Sequence, residues 1–238
     1  ATNNGKGVAG IAYGAKVVPV RVLGKSGGTT SDIVDAMRWS AGIAVKGVPT
    51  NPYPAEVLSL SLGGSGACSK AWKSAIKDVV RKGSVIVVAA GNEQKDASTS
   101  NPGNCPGVIT VSATNRGGDL AWYSNYGLKV EISAPGGDTH TAANGVLSTL
   151  NTGKQTAESD AYAFYQGTSM ATPHVSGVVA LMLSANPDLT PLQVARILKS
   201  TARPFAAGTT CATAGKCGAG ILDAGAAVEA AVTAVTAE

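Results

Sequence analysis

"SKAWKSAIKDVVRKGSVIVVAAG", residues 69–91, changes character halfway along. Its first fifteen residues read as a helix opened by Ser69, a residue type that caps helices. From Ser84 it becomes a short, nearly unbroken apolar run, the pattern of a strand buried on both faces. The same two patterns recur on either side. "KVVPVRVL" (16–23), "AEVLSLSLG" (55–63) and "GVITVSAT" (107–114) are further strands of this kind, and "SDIVDAMRWSAGIAV" (31–45) is a second helix, opened by Ser31. Alternation of strand and helix predicts α/β architecture: a mostly parallel sheet with helices on both faces, in three layers. The C-terminal third reads as helical. It holds the run after Ser169, then "TPLQVARILKSTA" with Thr190, Pro191 and Gln193 forming a capping box, then "DAGAAVEAAVTAV" opened by Asp223.

Composition sets limits on function. With 238 residues, 14% of them charged, and 30 glycines, the chain suits one tightly packed domain over 1–238. The net charge is +4, but Lys and Arg are scattered singly, so neither a nucleic-acid nor a membrane surface is expected. The apolar run "VSGVVALML" falls well short of the roughly 20 residues of a membrane span. The chain opens without Met or signal peptide, in a loop, "ATNNGKGVAGIAYGA", leading straight into an apolar run, so an upstream segment is expected to have been removed. Four cysteines are an even number. Cys211 and Cys217 flank a short small-residue loop, which leaves Cys68 for Cys105. Disulfides point to an oxidising compartment and to secretion; four free thiols in a cytosolic protein are the alternative.

In a parallel sheet, ligands gather at the carboxyl ends of the strands. Here those ends carry "SLGG" (61–64) and "AAGNE" (89–93). Asn92 follows one strand and offers an amide; by itself it could equally be a turn residue. Ser169 stands where a loop meets an apolar helix, a place for a nucleophile but also for an ordinary N-cap.

Taken together these stretches resemble the subtilisin-like serine proteases. "GTSMATPHVSG" (167–177) is similar to that family's nucleophile signature, and "SLGG" and "VVAAGN" are similar, in the same order, to its substrate strand and oxyanion asparagine. "TNNGKGVAGIAYGAKVVPVRVLGKSGG" resembles the stretch that follows the family's histidine helix. The resemblance implies a subtilisin-like fold lacking its N-terminal strand and histidine helix. It implies that Ser169 attacks the scissile carbonyl, and that the Ser169 N–H and the Asn92 amide hold the oxyanion. Gly27, Gly28 and Thr29 would form one edge of the cleft, and Ser61, Leu62, Gly63 and Gly64 the other. Ala89, Ala90 and Gly91, with Asn101 and Gly103, would wall the pocket, and Glu93 would stand at its rim. Calcium is implied at Glu131 with the carbonyls of Pro106 and Val108, and at a second site on Thr2, Asn4, Lys6 and Val8.

A serine needs a base. The two histidines are His140 and His174. Five helical residues turn roughly 500°, leaving His174 about 140° around the axis from Ser169. His140 lies in a polar loop to which the family pattern gives no catalytic part. Neither the "DTG"/"DSG" nor the "HGTH" motif occurs, so the base and its carboxylate are expected on an upstream segment, and this chain is expected to be inactive alone. Two functions follow: the C-terminal part of a secreted serine endopeptidase, partnered by its N-terminal fragment and a pro-segment, or a non-catalytic peptide-binding remnant. An α/β-hydrolase esterase is excluded, because "GTSMA" lacks the second glycine of G-x-S-x-G.

Overall fold

Val85–Ala89 is buried at all five positions, and the remainder of the fold is arranged to cover it. The computed structural model describes residues 4–234. Along the chain lie α1 (Thr30–Ser40), β1 (Val57–Leu60), β2 (Gly64–Ser65), α2 (Lys70–Arg81), β3 (Val85–Ala89), β4 (Ser100–Asn101), β5 (Ile109–Thr114) and β6 (Ile132–Pro135). They are followed by β7 (Val146–Asn151), β8 (Asp160–Tyr165), α3 (Thr168–Ala185), α4 (Pro191–Ser200), α5 (Thr210–Ala214) and α6 (Ala224–Thr233). The central sheet runs β1-β3-β5-β6 and every pair is parallel, in a register that sets Val57 beside Val85, Val87 beside Ile109 and Val111 beside Ile132.

Strand side chains alternate between faces, so β3 feeds two cores. Val85 and Val87 pack with Val111 and Ile132 under Val175, Val178 and Met182 of α3, backed by α4 and α6. Ile86 and Val88 pack with Leu58 and Leu60 under Ile33 and Met37 of α1 and Trp72, Ile76 and Val79 of α2. Helix, sheet and helix make the expected three layers.

The expected caps on three helices form. Ser69 Oγ accepts from the Trp72 N–H at 3.4 Å, Thr190 and Gln193 close a capping box, and Asp223 caps α6. Helix α1 departs from expectation at both ends. Its cap is Thr29, whose Oγ1 accepts from the Asp32 N–H at 3.1 Å, rather than Ser31. It stops at Ser40 instead of 45, because Gly42 takes φ +73° and lets the Ile43 N–H reach back to the Arg38 carbonyl.

The run 16–23 does not form a strand. It lies outside the sheet with Val17 84% exposed, and the nearby pairing is one bridge between Gly24 and Gly27. A strand needs a neighbour to satisfy its backbone, and among the described residues none lies beside this run. The hairpin β7–β8, paired from Val146–Tyr165 to Asn151–Asp160, was not anticipated, nor was β6 as a sheet strand. Both disulfides form as expected, Cys68–Cys105 and Cys211–Cys217, with no free cysteine.

The second disulfide lobe is tied down by one carboxylate. Burial pushes the Asp119 carboxyl up, but the backbone N–H groups of Thr210, Leu120 and Cys211 and the Thr210 hydroxyl together outweigh this and hold it below the usual range. A depressed carboxyl stabilises the fold above its unfolded pKa of about 4, and that contribution disappears as pH falls through the lower folded value. Asp119→Asn should therefore lower Tm at pH 7 by about 2 °C, a modest effect because solvent screens the site. The gap to the unsubstituted protein should close as thermal melts are taken below about pH 4. A gap that stays constant down to pH 2 would contradict this role.

Candidate active site

Strand β8 delivers the chain to Gly167, which enters α3 under tight control. The Gly167 N–H donates to Tyr123 Oη at 2.9 Å and to the Gly136 carbonyl at 3.0 Å, while the Tyr123 hydroxyl donates to the Gly137 carbonyl at 2.9 Å. Burial pushes the Tyr123 phenol up to about 12, so it keeps its proton at any working pH.

Thr168 is fully buried, and its backbone N–H and its hydroxyl both donate to Asn92 Oδ1 at 2.9 Å. The backbone N–H can only donate, so the Asn92 atom facing it is the oxygen. Asn92 Nδ2 therefore points the other way, and it makes no hydrogen bond among the described residues. The Ser169 N–H, in the unpaired first turn of α3, also has no acceptor among them. Two unused donors thus belong to residues lining one cavity, at the positive end of an 18-residue helix.

Pro173, inside α3, has no N–H to give the Ser169 carbonyl four residues earlier. Ser61 supplies the missing donor: its hydroxyl donates to that carbonyl at 2.8 Å, and Ser169 Oγ in return approaches the Ser61 carbonyl at 3.4 Å. The serine loop is thereby fastened to the chain leaving β1.

A cavity of about 190 Å³ opens at Ser169, lined by Ser61, Leu62, Gly63, Gly64 and Ser65, by Ala89 to Glu93, and by Ser100 and Thr168. Behind it β2 pairs with β4, setting Gly64 opposite Asn101 and Ser65 opposite Ser100, and the Cys68–Cys105 disulfide ties the loops that follow. Gly103 sits close behind Ala89. Gly27, Gly28 and Thr29, with Arg21 to Gly24 and Asp32, line an open depression of about 310 Å³.

Neither histidine serves Ser169. The His174 ring nitrogen Nδ1 bonds the Met170 carbonyl at 2.8 Å, one turn back on its own helix. His140 is exposed, paired through Nδ1 with Asp138 at 2.7 Å and set against the Trp122 ring at 5.2 Å. Among the described residues no titratable side chain hydrogen-bonds Ser169 Oγ.

Two of the residues expected to hold calcium have protein partners as placed. The Glu131 carboxylate pairs through Oε2 with Lys199 Nζ at 2.6 Å, and Pro106 and Val108 can offer backbone carbonyls alone. In the other set Asn4 Oδ1 accepts from the Lys6 N–H at 3.1 Å, Val8 brings only backbone, and Thr2 lies outside the described residues. No group of three His, Cys, Asp or Glu side chains suited to a metal occurs among the described residues.

Sequence reasoning missed Thr168 and Tyr123, which fix the entry to α3 and the Asn92 amide. The Ser61 hydroxyl had a readable signal, since Pro173 four residues after Ser169 announces an orphan carbonyl.

Comparison with known proteins extends these observations. The profile of the subtilase family (peptidase S8) matches residues 1–223. An extracellular protease of Xanthomonas campestris pv. campestris is 53% identical over 97% of this chain, and an extracellular basic protease of Dichelobacter nodosus is 47% identical over 96%. The chain spans only 38% and 37% of the lengths of those two proteins. The solved structure of a protease from Pseudoalteromonas arctica superposes with a TM-score of 0.91 at 53% identity, covering 96% of this chain and 67% of that one. Among the described residues no helix is long and apolar enough to cross a membrane. A family match that runs through α3, together with a shared fold at this identity, makes the chain a member of the subtilase family.

Proposed function

We propose that residues 1–238 are the N-terminally truncated catalytic domain of a secreted serine endopeptidase, acting through an acyl-enzyme on Ser169. The observation that carries this is the Thr168–Asn92 contact. It leaves the Asn92 Nδ2 and the Ser169 N–H as unused donors beside the cavity that Asn92 and Ser169 both line, which supports their holding the oxyanion of a tetrahedral intermediate. The polypeptide substrate runs along Ser61–Gly64, and the residue before the cut enters the pocket of Ala89–Gly91 backed by Asn101 and Gly103.

The histidine and aspartate come from a segment upstream, which binds as an N-terminal fragment where the chain is cut, with a pro-segment as a further partner. Support comes from the open side of the molecule. Strand β1 is a sheet edge, and the stretch 13–23, outside the sheet, leaves Tyr13 70%, Val17 84% and Leu23 45% exposed, apolar surface that a further strand and helix would cover. The competing reading, a peptide-binding remnant, draws on one observation, the lack of a base near Ser169. Incubating the protein that includes the upstream segment with an unfolded protein substrate separates the two. Internal cleavage blocked by a serine-directed inhibitor supports the protease, and binding without cleavage supports the remnant.

The pocket also implies a preference. Among the described residues its one charged lining residue is Glu93, at the rim, so a bulky uncharged residue before the cut should be favoured, Lys or Arg tolerated second, and acidic residues rejected. A peptide-library profile checks this order. Dominance of acidic residues at that position would overturn the assignment of these walls.

A further inference from the structure

Asn125 is completely buried, and none of the chemistry above uses it. Its Oδ1 accepts from the N–H groups of Glu93 at 3.0 Å and Lys95 at 3.1 Å. Its Nδ2 lies within bonding distance of the Ala90 carbonyl at 2.9 Å, Glu93 Oε2 at 2.8 Å and Ser100 Oγ at 3.1 Å. Ala90, Glu93 and Ser100 all line the cleft at Ser169, so one amide holds three parts of its wall.

The surroundings are built for this contact. The Asn125 N–H donates to the Gly91 carbonyl at 2.9 Å, the Tyr126 N–H to the Lys95 carbonyl at 3.1 Å and the Ala97 N–H to the Tyr126 carbonyl at 2.7 Å, so the segment carrying Asn125 is laced to the wall along its length. Gly91 has φ +106°, and a Cβ there would strike the Asn125 amide nitrogen and come within 2.7 Å of Glu93 Oε2. The missing side chain at 91 makes the room in which amide and carboxylate meet. Only an amide both accepts from two N–H groups and donates to carbonyl and carboxylate oxygens.

The consequence lies in where Glu93 points. Asn125 holds Oε2, while Oε1 makes no hydrogen bond among the described residues. Lys95, the nearest cation in sequence, does not neutralise it, because its Nζ bonds Ser65 Oγ at 3.1 Å. The carboxylate is thus fixed and unpaired at the rim.

We propose that Asn125 is a positioning residue for specificity: by fixing the Glu93 carboxylate it sets how far Lys or Arg is accepted, relative to a neutral residue, before the cut. This rests on the protease reading above. The test uses the protease with its upstream segment and two chromogenic peptides that differ only in carrying Lys or Leu before the cut. Glu93→Gln should lower the Lys/Leu ratio of kcat/KM about tenfold, the loss of roughly one ion pair. Asn125→Asp keeps the acceptor but turns the donors into a charge that repels Glu93. It should lower the Lys/Leu ratio about fivefold, and added to Glu93→Gln it should lower the ratio no further. Equal losses on both peptides would mark a merely structural residue and overturn the proposal. Should Asn125→Asp not fold, Glu93→Asp decides. It keeps the charge but falls short of Asn125, so the ratio should fall, and an unchanged ratio overturns the proposal. A folded protein that hydrolyses neither peptide overturns the protease reading and this proposal with it.

Discussion

Residues 1–238 produced alone are expected to turn over a chromogenic peptide about 10⁶-fold more slowly than the same residues joined to the upstream segment, and Ser169→Ala in the joined protein should fall to the same floor. The magnitude is that of subtilisin's own triad, carried over by family membership. The direction follows from the site itself. Ser169 Oγ approaches the Ser61 carbonyl, which can receive its proton in a hydrogen bond but cannot remove it, and His174 is committed to the Met170 carbonyl. Triad members act as a unit, so the oxyanion donors alone recover little. Turnover by the isolated chain within about a hundredfold of the joined protein would sink this account, given that scale of loss.

The second large effect is at Asn92. Asn92→Ala in the joined protease should reduce kcat by about 10² to 10³ with KM little changed, since the lost donor acts on charge that develops only in the transition state. This size too is the known value for subtilisin's own oxyanion asparagine and is transferred rather than obtained from the geometry. Asn92→Asp is the sharper variant. It keeps an acceptor for Thr168, so the loop entering α3 stays in place, but it turns a carboxylate oxygen toward the oxyanion, and its kcat should be no better than that of Asn92→Ala. Steady-state kinetics on a single peptide suffice. A variant with normal kcat and raised KM would show that Asn92 binds substrate instead of stabilising the transition state.

The sequence made β3 legible because a strand buried on both faces has no polar positions to blur it, and α2 and α4 because their caps are local. The strand expected at 16–23 failed for the opposite reason. Its composition suits a sheet, but pairing depends on a neighbouring strand, none pairs with it among the described residues, and Val17 is left in solvent. Hairpin β7–β8 escaped because its residues are largely exposed, so alternation between a core face and a solvent face is weak. At the site, Ser169, Asn92 and the Ser61–Gly64 edge were readable from the strand ends and the motif at 167–177. Thr168 and Asn125 were not, since their partners lie 76 and 32 residues away in the chain. A buried amide looks like any turn asparagine until the fold brings its five partners around it.

This chain is expected to hold the nucleophile and its oxyanion donors, with the base arriving from upstream. The most direct test is the intact mass of the protein after treatment with a fluorophosphonate, with the adduct then located by peptide mapping. The joined protein is expected to gain one adduct per chain, on Ser169, and the isolated chain none over the same period. Stoichiometric labelling of Ser169 in the isolated chain would contradict this arrangement, because that reaction needs a base which, among the described residues, does not reach the serine.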